Sequence, residues 1–391
     1  MPSSRRRSRR TLLQAAVLLG IGVTATSACD EVRVGPPQTY TPPPQGIDDL
    51  YRKDLLALLD VAGSIRPVVP TSNGAKHGKG GGTGRGKQTA EATEAAEAAA
   101  FLDTVHDAFT VQYAAMLTGA EADDDPAGSS ASDGGADGGD GSGTGDGSGT
   151  GDGSGTGPAT CACSAEDAHD DASDPGSLAA LLLRLRDLTA QASRQVSGSL
   201  TRPVLATGCY AAWTTTRLAA LHLADAPGAP PTRKKIVPTR DVPTADPPSV
   251  GAEVDFRSAL ERAQTDEWYA GYIHEVLAAR TSGTARKRLL ARAEEGRTRA
   301  EELGKLAEDA GAEQVLRRAV YPLPDGRITR DQEKKLPIEL ARTLLEDHVV
   351  LAAAAPFGDR PLSIATALRQ AALLGTAGAE LAPLPTLDPT A

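Results

Sequence analysis

Residues 119–160 are Gly, Asp, Ser and Thr with almost no apolar residue, and Gly-Asp-Gly-Ser-Gly-Thr repeats three times from Gly139 to Thr156. Such a stretch has no apolar surface whose burial could offset the entropy of ordering it, so it reads as disordered. A calcium-binding β-roll needs an apolar residue in each turn to build a core, and none is present. Any calcium association would be weak and unspecific. Three further stretches interrupt the chain: a Pro-rich tether at 29–46 with Pro42-Pro43-Pro44, a Gly- and Lys-rich insert at 71–88, and a Pro-rich linker at 226–249. A fold has to come from what remains, an N-terminal region within 47–225 and a C-terminal region at 250–386.

What remains favours helices. Aromatic residues are 3% of the chain. Its apolar content is mostly Ala and Leu, joined by Glu and Arg, while the strand formers Val, Ile, Tyr and Phe are scarce. The expected class is all-α, in two domains. Helical periodicity predicts N-terminal helices at about 51–65 and 89–117, a third on the stripe Leu178, Leu181, Leu182, Leu185, Leu188, and a fourth at 203–223. These would close a small up-down bundle, with the 119–160 insert as a loop between its second and third helices. His106 and His222 fall in these helices without an acidic partner at ligand spacing and read as ordinary polar residues.

The chain begins with an export signal. Five arginines (Arg5, Arg6, Arg7, Arg9, Arg10) precede an apolar run at 12–23, which ends in Thr26-Ser27-Ala28-Cys29. The run is too short for a bilayer span, which takes about 20 residues. The small residues before Cys29 resemble a bacterial lipobox, which implies removal of 1–28, acylation of Cys29 and anchoring to the outer face of the cytoplasmic membrane. Ser8-Arg9-Arg10-Thr11-Leu12-Leu13-Gln14 resembles the twin-arginine export motif, whose substrates cross the membrane folded. The plainer alternative is an Arg-rich signal of the general secretory route.

Removing the signal takes away five arginines and no acid. Lys+Arg falls from 41 to 36 against 51 Asp+Glu, so the mature net charge is −15. That balance disfavours nucleic acid and anionic lipid heads as partners. Gly81-Gly82-Thr83-Gly84-Arg85-Gly86-Lys87-Gln88 nearly spells a phosphate-binding P-loop. Gln88 stands where a magnesium-binding hydroxyl belongs, no strand precedes the loop, and ATP is scarce outside the cytoplasm, so no nucleotide is expected. Cys161, Cys163 and Cys209 remain after Cys29. Outside the cytoplasm a disulfide is the default, joining Cys161 or Cys163 to Cys209. A metal or redox site of Cys161, Cys163, Cys209 and His169 is the lesser alternative.

In the C-terminal region, helices are expected at about 254–280, 284–310, 337–355 and 362–381, an antiparallel four-helix bundle. Asp266-Glu267-Trp268-Tyr269-Ala270-Gly271-Tyr272, the Ala310-Gly311-Ala312 stop, the Tyr321-Pro322-Leu323-Pro324 turn and Leu345-Glu346-Asp347 occur there in that order. In them the region resembles a ferritin-like domain of unknown function from exported proteins of high-G+C Gram-positive bacteria. The resemblance implies the fold and no established activity.

A di-iron bundle needs a Glu on each of two helices and Glu-x-x-His on the other two. Three residues after Glu294 and Glu295 stand Arg297 and Thr298, and the last helix has no His. A smaller divalent-metal site of Glu267, His274 and His348 is the alternative, since Glu267 and His274 lie two turns apart on one face. The plainer reading has Glu267 bonded to Tyr272, Arg299 or another polar group inside the bundle. No nucleophile–base pair is legible, and no cofactor is expected. The leading expectation is a non-catalytic, lipid-anchored binding or scaffolding protein with an envelope partner. A metal-binding ferritin-like protein is the second, and a bundle whose Trp268, Tyr269 and Tyr272 line a ligand pocket is the third.

Overall fold

The computed structural model describes residues 46–65, 84–117, 174–240 and 252–387. The expected export signal, Cys29, Cys161, Cys163, His169 and the 119–160 insert lie outside the described residues. The described chain is all-helical: α1 (Ile47–Ser64), α2 (Gly84–Met116), α3 (Pro175–Gln195), α4 (Gly198–Ala220), α5 (Ala252–Ala279), α6 (Gly283–Asp309), α7 (Arg330–Ala354) and α8 (Arg360–Ala377). No strand occurs among the described residues, and none of their helices is long and apolar enough to cross a membrane.

Several boundaries differ from the sequence expectation. Helix α7 begins at Arg330, well before Pro337, because Thr329 and Gln332 form a reciprocal capping box ahead of it. Pro337 then sits inside the helix. Helix α2 begins at Gly84, so Lys87 and Gln88 of the expected 71–88 loop are helical. The Ala-rich run that follows propagates the helix backwards at one hydrogen bond per residue.

Gln45–Ala391 forms one compact unit. The reason lies in α4, where every residue from Val204 to Thr215 is buried. A helix that is apolar all round needs neighbours on every side. One side is covered by α3, and the others by α8 and α7 of the C-terminal half. Leu205, Tyr210 and Trp213 of α4 share a cluster with Leu345 and Val349 of α7 and Ile364 and Leu368 of α8. The contact is close: a Cβ on Gly375 would stand 2.5 Å from the Trp213 carbonyl oxygen.

The described part of the Pro-rich linker is strapped to this body. Ile236 is buried in the same cluster. Arg186 donates to the Gly228 carbonyl at 3.1 Å, Arg194 to that of Ile236 at 2.5 Å, and Gln195 to that of Arg240 at 2.5 Å. Helices α5 and α6 form a hairpin that attaches through α5 to α7, while α8 takes α4 as its main partner outside its own hairpin. Helices α1 and α2 complete the N-terminal core against α3 and α4.

Candidate functional site

Three helices bring a polar centre into the core. Glu267 on α5 is fully buried. It lies where α5 and α6 approach most closely, since a Cβ on Gly296 would meet the Glu267 backbone oxygen at 3.2 Å and its Oε2 at 3.4 Å. Arg299 of α6 grips it bidentately, Nε to Oε1 at 2.5 Å and Nη2 to Oε2 at 2.8 Å. His348 of α7, also fully buried, reaches Oε1 through Nε2 at 3.0 Å. Burial pushes the Glu267 carboxyl up, but the Arg299 guanidinium and the His348 bond outweigh it and hold the carboxyl below its usual value. Glu267 is therefore the ionised acceptor, His348 Nε2 carries the proton, and Nδ1 is left without a partner.

The three residues expected to share a metal are thus divided. Glu267 and His348 meet, whereas His274 is not hydrogen-bonded to either: both of its ring nitrogens are buried and unpartnered. A guanidinium occupies the carboxylate that a cation would need. Burial, then Arg292 and Arg299, lower the His274 imidazole to about 4, so the surroundings of that ring oppose positive charge. Both Glu267 oxygens are already engaged by Arg299 and His348, and His274 stands apart from them. Among the described residues no group of three or more His, Cys, Asp or Glu side chains is placed to hold one.

A second buried acid, Asp347, directly precedes His348 on α7. Asp347, with its side chain 7% exposed, has Oδ2 unpartnered and Arg262 3.5 Å away. Burial and then the hydrogen-bonded carboxyl of Asp266 push it up to about 8; Arg262 opposes this and Glu346 adds to it. From its ordinary 3.8 to about 8 the native chain keeps a proton that the unfolded chain has released, so this contribution to stability falls as pH rises. His274, flanked by Arg292, Arg299 and Glu267, works the other way: from its ordinary 6.5 down to about 4 the unfolded chain gains a proton first, and stability falls as pH drops. The two slopes oppose each other below pH 6.5, and above it only that of Asp347 remains. Urea melts should show stability declining from pH 6.5 to 8. Asp347→Asn should flatten that limb and gain on the order of 1–3 kcal/mol at pH 8. An unchanged limb in the variant would exclude the acid pair as its source.

The open concavity lies elsewhere, where α5 and α6 meet the connection ahead of α7. It holds about 100 Å³ and is lined by Trp268, Tyr272, Tyr321, Arg297, Arg317 and Arg318, with Glu275 at its edge. Gln264 and Trp268 build it by pinning the connection: Val315 N–H donates to Gln264 Oε1 at 2.9 Å, and Trp268 Nε1 to the Val315 carbonyl at 3.1 Å. The Arg317 guanidinium lies 5.8 Å from the Trp268 ring centre. Tyr321 packs between Tyr269 and Tyr272, and its hydroxyl accepts from Arg318 N–H at 3.1 Å. Arg297 is committed to Glu275 and Glu294. Two of the three expected pocket aromatics, Trp268 and Tyr272, line the cleft, and Tyr269 backs it. Nearby, Leu316 is 80% exposed and Val320 70%.

The remaining candidates take plain roles. Cys209 is a fully buried thiol in the α4 core, and burial pushes it up; its expected disulfide partners Cys161 and Cys163 lie outside the described residues. Cys209 belongs to the core cluster that α4 shares with α7 and α8. His106 Nε2 bonds the Gly63 carbonyl at 3.1 Å and ties α2 to α1. His222 lies just past α4 with φ 57°, not within the helix. Compared with protein-family models, curated proteins and solved structures, the chain matches none of them.

Proposed function

We propose that this chain is an exported protein, lipid-anchored at Cys29 to the outer face of the cytoplasmic membrane, whose helical body binds an envelope partner without catalysing a reaction. The ferritin-like assignment of 250–386 belongs to this proposal, supported by the succession α5 to α8. The observation that carries the binding role is the cleft around Trp268. It combines three aromatic rings with Arg317 and Arg318 at its mouth and two exposed aliphatic side chains beside it. Aromatic and Arg side chains are the groups that most often anchor protein interfaces. With guanidinium groups lining it, the cleft suits a carboxylate or phosphate on the partner. The polar centre at Glu267 supports a structural role for itself, because its oxygens are consumed by Arg299 and His348.

The chain has two tryptophans, so Trp213→Phe leaves Trp268 as its sole indole reporter. Titrating the full chain with an acidic peptide should shift Trp268 emission saturably, and Arg317→Ala with Arg318→Ala should abolish the shift. A flat titration in the folded protein sinks the cleft as a binding site for acidic partners. Fatty-acid labelling in a Gram-positive host should mark the wild type and not Cys29→Ser; equal labelling of both would remove the anchor.

A further inference from the structure

A second, smaller cavity holds a buried hydrogen-bond donor on His274 that no acceptor among the described residues meets. It measures about 10 Å³, the space of one water-sized particle. His274, Arg292, Glu295, Arg299 and Gln370 supply its polar lining. His274 is 7% exposed, and neither ring nitrogen has a partner. A neutral imidazole carries one N–H, so a buried donor is left over. Arg292 makes no hydrogen bond or ion pair among the described residues.

The charges around the cavity are unbalanced in the same sense. Arg288, Arg292, Arg299 and Arg369 bear on it from the positive side, and Glu267, Glu295 and Glu302 from the negative. All three carboxylates are already committed: Glu267 to Arg299 and His348, Glu295 to Arg369 through both oxygens at 2.6 Å, and Glu302 to Arg233 at 3.6 Å. A local positive excess thus surrounds an unpartnered donor in a chain whose net charge is −10. A cation is repelled there, while a small anion gains charge-assisted hydrogen bonds from groups that otherwise lack them.

We propose that this cavity is a binding site for a small inorganic anion of chloride size, held between the Arg292 guanidinium and the ring N–H of His274. The small volume excludes a bulky ligand, and the Arg299 guanidinium, though occupied by Glu267, adds to the field. The site is separate from the Trp268 cleft and does not depend on it.

The test uses the full chain and chloride as the probe. In ³⁵Cl NMR the wild type should broaden the chloride line beyond what Arg292→Gln does, and bromide should displace the excess. At constant ionic strength, exchanging gluconate for chloride should raise the wild-type Tm by roughly 2–4 °C, the size expected for ligand near ten times its Kd. Arg292→Gln and His274→Leu, each checked for helical content, should lose that shift. Equal line broadening in the wild type and folded variants overturns the site. So does a Tm shift that acetate produces and chloride does not, which would assign the cavity to the carboxylate tip of a larger molecule. A water alone in the cavity would leave chloride without effect on either readout, and would overturn it as well.

Discussion

Glu267→Gln is expected to lower stability by roughly 3–5 kcal/mol, one of the two largest effects of a single substitution in this protein. The amide keeps the shape of the side chain and removes its charge. Arg299, with its side chain 14% exposed, is then a cation inside the core with no anion against it. The Arg299 guanidinium is itself held above its usual value by Glu267 against the pull of burial, so the two charges depend on each other. His348 loses its ionised acceptor in the same step and retains an unpartnered Nδ1. The loss should appear as a fall in Tm of roughly 6–15 °C. Replacing both partners, Glu267→Met with Arg299→Met, should recover most of it, because a well-packed apolar pair avoids the desolvation of two charges. A Glu267→Gln protein as stable as the wild type would mean that the ion pair does not hold α5 against α6. Elemental analysis of wild type purified without chelator bears on the same residue: stoichiometric metal that disappears in the variant would overturn the structural role given to Glu267.

Arg360→Ala is expected to cost a comparable roughly 3–5 kcal/mol, for a different reason. Arg360 is 1% exposed at the start of α8. Its Nη1 donates to the Val196 carbonyl at 2.6 Å, to that of Ser193 at 3.2 Å and to Thr201 Oγ1 at 3.0 Å, while Nε donates to the Ala355 carbonyl at 2.8 Å. The guanidinium thus caps the carbonyl end of α3, where the helix dipole favours a cation. It also stacks 4.5 Å from the Phe357 ring centre. Truncation strands several buried carbonyls at once and cuts a brace between the two halves of the chain. Arg360→Lys should rescue only part of the loss, since an ammonium cannot reproduce the planar fork. The measurement is a urea melt followed by helicity. A single cooperative transition in the wild type that splits into two in Arg360→Ala would show that the brace couples the halves. An unshifted midpoint would refute the brace.

The helical class, the succession of the last four helices and the burial of Glu267 were legible in the order of residues, because each rests on local propensity or on a 3.6-residue period. Arg299 was legible as one candidate partner of Glu267, although nothing in its spacing singled it out. The start of α7 was misread at Pro337, although Thr329 and Gln332 carried the capping-box signal that locates it. The separation of His274 from Glu267 and His348 was not legible. Two residues seven apart on one helix face share a direction, but which neighbour each one meets depends on how the next helix crosses. Here Gly271 and Gly296 let α6 come in close enough to deliver Arg299 to Glu267.

Sequence alone settled the local questions: that the described segments are helical, and that a charged buried residue on α5 would need a partner. Packing decided the rest. The uncharged stretch from Val204 to Thr215 demanded burial on all sides, yet no pattern in the chain named α8 and α7 as the surfaces that would cover it. The Pro-rich segment after α4 was read as a spacer, and only the carbonyls accepting from Arg186, Arg194 and Gln195 turned its described part into a strap. Likewise, the cleft at Trp268 exists only where α5, α6 and the connection ahead of α7 converge, and the cavity at His274 only where all four helices α5 to α8 do. Propensity acts over one turn of helix, whereas charge pairing and core sharing act between segments whose meeting is set by the sum of all their contacts.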